Sequence, residues 1–472
     1  MVPGSQHLTI VVPGIGGSVL RYPARDGRQG VIAWNSGNRA LVDLLRHPER
    51  LSLGDEPELR PTGLISSRHL LPGWTVIHGY ERLVRSLNRR PGRLVDLGDP
   101  DHRIPDADVV LFPYDFRRSI TESAERLAAE VKRRLTYVAG GGRAPQVVVV
   151  AHSMGGLVAR YWLGPLGGWS VCRSLITLGT PHRGAPKALQ LVVNGARIGR
   201  WPLDALTAVL REWTSVSELL PAYPAIWDIR AQKALYPHEL PVRTRATARV
   251  AYQVHRDIET AWDQVPRSGA QVVPRIGWSH RTLSSATWDG SVLRVDQSAP
   301  AWLDVGGWGD DRGDGTVPAF AAMPAEMGGD NPAGMRVKHR HGPLATATFV
   351  TRLVRDYERW TPLTAVRGSQ SRPVAIGLDL DEAYPSDEPI RILASIEGRD
   401  DSTGFAAWIS IRRAGEQVPV LETRMEHAAN EPTLATVVSA LAPGFYDVTV
   451  SATHTTDRLR LVTEDSFAVT EW

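Results

Sequence analysis

The chain of 472 residues carries 54 basic against 51 acidic side chains, a formal net charge of +3, and 42% of its residues are hydrophobic. That length exceeds one ordinary domain and points to two, while no apolar run approaches the roughly 20 residues of a bilayer span, which argues against an integral membrane protein. The isoelectric point near 9.0 does not make a nucleic-acid binder, because the basic side chains are scattered among acidic ones rather than gathered in blocks.

Residues 1–7 show neither the basic region nor the apolar stretch of a secretory leader. Residues 8–12 begin a set of short continuous apolar runs, followed by 109–112, 147–150 and 175–178, which suit strands buried on both faces of a parallel sheet. The first run ends in Pro13-Gly14-Ile15-Gly16-Gly17-Ser18, a loop able to bring bare backbone N–H groups to a substrate carbonyl. The amides of Ile15 and Met154 are the expected oxyanion hole, each typically contributing about 3 to 4 kcal/mol of transition-state stabilisation. A phosphate-binding loop would end in Gly-Lys-Ser/Thr, and this one does not. Residues 80–87 and 120–137 show apolar positions at three- and four-residue spacing, as helices packed on a sheet require.

The valine run 147–150 leads directly into Ala151-His152-Ser153-Met154-Gly155-Gly156 and then a helical pattern. Strand, sharp turn and helix make a nucleophile elbow, which lifts a serine hydroxyl above the sheet and demands small neighbours. Ser153 is therefore the expected nucleophile. Cys172, the sole cysteine, cannot form an intrachain disulfide; with the missing leader it sets the expected location as cytoplasmic. His182 ends a strand but precedes any acid candidate, so it is expected at a pocket wall or hinge.

From about 186 to 300 the alternation fades and tryptophan accumulates (Trp201, Trp213, Trp227, Trp262, Trp278, Trp288). This stretch reads as a cap over the sheet, its indoles serving either as core or as lipid contacts. The chain is expected back in the sheet near 302–305. Gly313-Asp314-Gly315-Thr316-Val317-Pro318 then supplies the acid: in an α/β-hydrolase order the acid follows the serine and precedes the histidine. Asp314 is preferred to Asp310 and Asp311. His341, ahead of Gly342 and Pro343 at the entrance of a closing helix over 345–360, is the expected base, with His339 the alternative. No carboxylate or cysteine cluster of regular spacing accompanies this pair, so neither a metal nor another cofactor is expected.

Residues 361–372 read as a linker. Beyond them, short alternating segments at 374–380, 390–396, 407–411, 418–423, 433–439, 446–452 and 459–462 predict an all-β sandwich, with Leu441 to Val448 resembling a tyrosine-corner turn. The expected organisation is an α/β-hydrolase domain over 1–362, with its cap at about 186–300, followed by an immunoglobulin-like β-sandwich over 372–472.

Several blocks together resemble the lecithin:cholesterol acyltransferase and lysosomal phospholipase A family: the loop at 12–18; Pro72-Gly73-Trp74 with Gly79-Tyr80; Pro113-Tyr114-Asp115-Phe116-Arg117, where the family has tryptophan in place of Phe116; the elbow; Ser217-Glu218-Leu219-Leu220-Pro221; and Gly313 to Pro318. The resemblance implies a triad of Ser153, Asp314 and His341, an acyl-enzyme intermediate and a fatty ester as donor. Gly14 and Trp74 are expected to contact substrate. It leaves the C-terminal sandwich uncovered.

The expected function is thus a serine-dependent lipase, phospholipase or O-acyltransferase with transient contact to a membrane surface. A small-ester or thioester hydrolase is the alternative, as is an effector or scaffold whose sandwich recruits a protein partner.

Overall fold

The computed structural model describes residues 7–471 apart from 24–29, 55–57, 90–92, 139–145, 242–244, 267–268, 306–311, 328–334, 360–373, 400–403 and 428–432. The linker at 361–372, Asp310 and Asp311 fall outside the described residues.

Seven strands form the central sheet: β1 (His7–Val12), β2 (Val95–Asp96), β3 (Val109–Leu111), β4 (Gln146–His152), β5 (Cys172–Leu178), β6 (Gln271–Gly277) and β7 (Arg336–Val337), in the order β7-β6-β5-β4-β1-β3-β2. Every pairing is parallel. The apolar runs read from sequence are these strands. Val147 to Val150 and Ile10 to Val12 are at most 1% exposed, as residues covered on both faces must be. Helix α1 (Ile120–Val138) and helix α2 (Met154–Leu163) pack together beside β4. From β1 the chain leaves toward β3 and β2 on one side, then crosses to β4 on the other. The carboxyl ends of β1 and β4 therefore flank the point where the winding reverses, the place where open α/β sheets bind ligands.

The expected return to the sheet near 302–305 is a correction: residues 301–303 are turns, and the chain re-enters as β6 at Gln271–Gly277. Pro274 hid this strand, because a proline lacks the N–H that a ladder uses. Among the described residues β7 pairs with Ile276 and Gly277 and no strand pairs with the outer side of β6 at Pro274, so the missing N–H leaves no described ladder partner short of a donor. The segment between β5 and β6 is largely core-forming. Trp213 is fully buried and donates from Nε1 to the Leu51 carbonyl at 2.9 Å. Trp262 lies under the Arg160 guanidinium at 4.3 Å, and past β6 Trp278 and Trp288 are buried too. Of the six, Trp201 is the exposed one, at 39%.

After α3 (His341–Leu344) and α4 (Thr348–Arg359) comes a region in which the described regular elements are strands: β8 (Ala375–Asp379), β9 (Ala383–Pro385), β10 (Ile390–Glu397), β11 (Phe405–Arg413), β12 (Pro419–Arg424), β13 (Glu426–His427), β14 (Thr433–Val438), β15 (Gly444–His454) and β16 (Arg460–Thr470). They form two sheets, β8-β10-β14-β13 and β9-β16-β15-β11-β12. The alternation along β11, with Phe405, Ala407, Ile409 and Ile411 buried and Trp408 exposed, follows from one face meeting the apolar cluster these sheets share and the other meeting solvent. Tyr446 Oη donates to the Ala442 carbonyl at 2.6 Å, closing the turn that enters β15.

Candidate active site

The turn between β4 and α2 forces Ser153 to φ 52° and ψ −129°, a region that costs a non-glycine residue of order 1–3 kcal/mol and persists only where the surroundings fix it. Those surroundings are glycines. A Cβ on Gly155 would overlap the Pro13 carbonyl oxygen, one on Gly156 would overlap the Thr180 side chain, and one on Gly14 would lie 2.8 Å from Ser153 Cβ. The elbow and the loop after β1 thus touch because neither carries a side chain at the contact.

Ser153 Oγ lies 2.8 Å from His341 Nε2, and His341 Nδ1 lies 2.7 Å from Asp314 Oδ2. The three side chains are each at most 2% exposed. A carboxylate only accepts, so Nδ1 carries the ring proton and Nε2 is left to accept from the serine hydroxyl. Asp314 is fixed from behind: its Oδ1 accepts from the amides of Thr316 at 2.9 Å and Val317 at 2.7 Å. His341 is tied to the same residue through its backbone, its N–H donating to the Asp314 carbonyl at 2.9 Å. Gly179, at φ +57°, stands where a Cβ would come within 2.7 Å of Asp314 Oδ2 and 3.1 Å of His341 Nδ1. Of the two candidate histidines, the structure brings His341 to the serine. His339 lies against Phe349, ring centroids 5.5 Å apart.

Met154 opens α2, so its amide is one of the first-turn N–H groups that no helical carbonyl can reach. Ile15 sits in the loop that follows β1. Among the described residues neither amide has a hydrogen-bond acceptor, and both residues are buried, at 1% and 3% exposure. The amide of Gly14 is taken: it donates to Tyr80 Oη at 2.9 Å. That hydroxyl also meets His152 Nδ1 at 3.0 Å, while His152 Nε2 meets the His341 carbonyl at 3.0 Å. A carbonyl can only accept, so Nε2 bears the proton of His152 and Tyr80 donates to Nδ1. Burial, with the His341 ring beside it, pushes His152 down to about 3, which keeps it neutral and able to play both parts. One relay therefore joins the loop after β1, the residue before the serine and the residue at the base. Tyr114 secures the same loop, its Oη donating to the Pro13 carbonyl at 2.9 Å. Three residues on, Arg117 grips Asp115 through Nε at 2.9 Å and Nη2 at 2.7 Å. Sequence reasoning placed Tyr80 and Tyr114 in recurring blocks but found no task for either.

Trp74 lies in the hairpin turn between the strands His69–Leu71 and Thr75–Ile77, 1% exposed and with its Nε1 unpaired. His182 is buried beside Thr177 Oγ1 at 3.1 Å, and its carbonyl lies 3.3 Å from His255 Nδ1. Glu218 caps a helix at long range, its Oε2 accepting the Ile120 amide of α1 at 2.6 Å. Burial raises its carboxyl to about 7. Among the described residues no group of three or more His, Cys, Asp or Glu could hold a metal, and no helix is long and apolar enough to cross a membrane.

Residues 103–260 match the lecithin:cholesterol acyltransferase family. The matched, LCAT-like segment contains the Tyr114–Arg117 block, the elbow with Ser153 and the Glu218 block, whereas Ile15, Asp314 and His341 lie outside it. No curated protein matches the chain.

Proposed function

We propose that the protein is a serine-dependent lipase, phospholipase or O-acyltransferase that acts on fatty-acyl esters through an acyl-serine intermediate. The observation that carries this reading is the hydrogen-bonded line from Ser153 Oγ through His341 to Asp314, at 2.8 and 2.7 Å. The LCAT-like segment around the serine supports a lipid ester as the acyl donor.

In this reading His341 Nε2 takes the Ser153 proton as Oγ attacks the ester carbonyl, and Asp314 holds the ring in the required tautomer and stabilises its cationic form. The amides of Ile15 and Met154 receive the developing oxyanion, and Gly14 and Trp74 contribute to the substrate pocket. His341 then returns the proton to the departing alcohol. Water or a second alcohol, activated by the same ring, releases the acyl group as free acid or as a new ester. Hydrolysis is the default outcome, since water needs no dedicated acceptor site. Because Ser153 is 2% exposed, substrate reaches it only when covering side chains move.

The same reading assigns an α/β-hydrolase fold to residues 1–362 and an immunoglobulin-like β-sandwich to 372–472. The cap between β5 and β6 ends before Gln271, where the sheet resumes. The single cysteine supports a cytoplasmic site of action.

A fluorophosphonate probe tests the nucleophile: the folded wild type labels and Ser153→Ala does not. Incubation with a total lipid extract, followed by mass analysis of the esters consumed and the acids or esters formed, then reads the substrate. Absence of labelling in folded wild type would sink the proposal, and a preference for short soluble esters over lipids would reassign the substrate.

A further inference from the structure

The acid and base loops are not held by the central sheet alone. Strand β8 and the residue before it lie against two chain segments at the rim of the site. Ser279 Oγ donates to the Ile376 carbonyl at 3.3 Å, the Leu378 amide donates to His280 Nδ1 at 3.1 Å, and Lys338 Nζ donates to the Val374 carbonyl. The approach is close enough that a Cβ on Gly377 would overlap the Ser279 carbonyl oxygen. His280 is in turn bridged by backbone hydrogen bonds to Gly313, the residue before the acid.

Arg340 is the focus of this contact. It immediately precedes His341, and its guanidinium meets three acceptors in the C-terminal region: Nη1 donates to the Leu378 carbonyl of β8 at 3.2 Å, Nη2 to the Leu380 carbonyl just past β8 at 3.1 Å, and Nε pairs with Asp465 Oδ2 of β16 at 2.5 Å. Arginine and aspartate side chains are 11% and 10% exposed, so solvent screens the pair little. The same guanidinium crosses Gly315, where a Cβ would stand 2.8 Å from Nη2. Arg312, two residues before the acid, pairs with Glu397 of β10 at 2.8 Å. The space left among the acid, the base loop and these strands is a cavity of ≈ 10 Å³, room for one water at most.

We propose that the C-terminal β-layer positions the acid and base loops, with Arg340 and Asp465 as its principal positioning residues. This rests on reading Ser153, His341 and Asp314 as the reacting groups. A polypeptide region that looks appended in sequence thereby completes the site: Arg340 is anchored at three points, and its neighbour His341 inherits that fixed backbone. Displacing a base by about 1 Å can cost on the order of 100-fold in rate.

The test compares the full-length wild type with Asp465→Asn, Arg340→Lys and Asp447→Asn. Asp447 pairs with Arg68 at 2.6 Å in the same interface and touches neither loop, so it reports on general loosening. Hydrogen–deuterium exchange of peptides over 312–320 and 336–345 reads the loops without any chemistry, and kcat and KM on an ester read the consequence. Asp465→Asn and Arg340→Lys are expected to exchange these peptides about ten-fold faster, with the rest of the central sheet unchanged. They are also expected to lose about ten-fold or more in kcat while KM stays within about two-fold. Asp447→Asn leaves both readouts near wild type. Unchanged loop exchange in Asp465→Asn and Arg340→Lys, or equal effects in all three variants, overturns the positioning role. Faster loop exchange in a protein whose wild type fails to label with fluorophosphonate supports the clamp and sinks the serine reading instead.

Discussion

Replacing Asp314 by asparagine separates the chemistry of the acid from its structural task, and the surroundings dictate how. The Asp314 carboxylate faces two ways: Oδ1 accepts from the amides of Thr316 and Val317, and Oδ2 accepts from His341 Nδ1. An asparagine must turn its carbonyl oxygen toward the two loop amides, because an NH2 group there would leave three donors facing one another. Its NH2 then faces His341 Nδ1 and forces that nitrogen to accept. The ring proton moves to Nε2, which can no longer take a proton from Ser153. Geometry survives while the base is lost, a defect of about 10⁴-fold in kcat, or about 5.5 kcal/mol of transition-state stabilisation. Stability should change little, by about 1 kcal/mol or less, because the loop amides keep their acceptor. Asp314→Ala, by contrast, strands both amides and should also lose roughly 2–5 kcal/mol of stability. Steady-state kinetics on a chromogenic fatty-acyl ester and urea unfolding of the two variants measure both effects. A kcat for Asp314→Asn within about ten-fold of wild type would refute the tautomer argument and, with it, the role given to Asp314.

Two further perturbations probe the shell around that line. Tyr80→Phe removes the hydroxyl that joins Gly14 to His152 and leaves a buried donor and a buried acceptor unpaired, so unfolding free energy should fall by roughly 2–4 kcal/mol and kcat should drop more than KM rises; a variant as stable as wild type in urea would show that water replaces the hydroxyl. Glu218→Gln addresses pH. The folded state holds the Glu218 proton up to about 7 while the unfolded chain releases it near 4.5, so between those values the folded state binds more protons and wild-type stability falls as pH rises. Glutamine keeps the acceptor for the Ile120 amide without the buried charge, so the variant should match wild type in mild acid and exceed it by up to about 3 kcal/mol above neutrality; parallel pH dependences for the two proteins in urea titrations would contradict this.

The parts of the site legible in the sequence were those encoded by neighbours along the chain. A valine run followed by a serine with small residues two positions to either side reads as a buried strand entering a tight turn, and the glycines at 14, 155 and 156 leave the gap through which strand, loop and helix meet. The position of Asp314 in a glycine-rich turn, after the serine and before a histidine, carries similar local information. Tyr80 and Tyr114 could not be assigned in this way, because what each hydroxyl meets is decided by folding: Tyr80 meets His152 across 72 positions, and Tyr114 meets Pro13 across 101. Strand β6 was obscured for a different reason. Its proline is unfavourable in a generic strand and harmless only beside a neighbour as short as β7, a fact about sheet topology that local pattern does not carry.

The relation of the C-terminal strands to the loops of Asp314 and His341 was hidden from local pattern for the same reason. Composition changes sharply at 361–372, and a change of composition separates segments along the chain without separating them in space. In the folded protein the loop of the acid and the loop of the base both end against β8 and its neighbours, and each makes its ion pair there: Arg312 with Glu397, Arg340 with Asp465. A serine held at φ 52° needs its partners fixed to a few tenths of an ångström, and loops that end in open solvent seldom provide that. The central sheet fixes Ser153 and Ile15 through β4 and β1, whose carboxyl ends adjoin. Among the described residues it approaches Asp314 and His341 through short β7 and the end of β6, at one edge of the sheet, where the pairing spans two residues. That edge is where an external support is most needed, and β8 meets the chain just past both strands, at Ser279, His280 and Lys338.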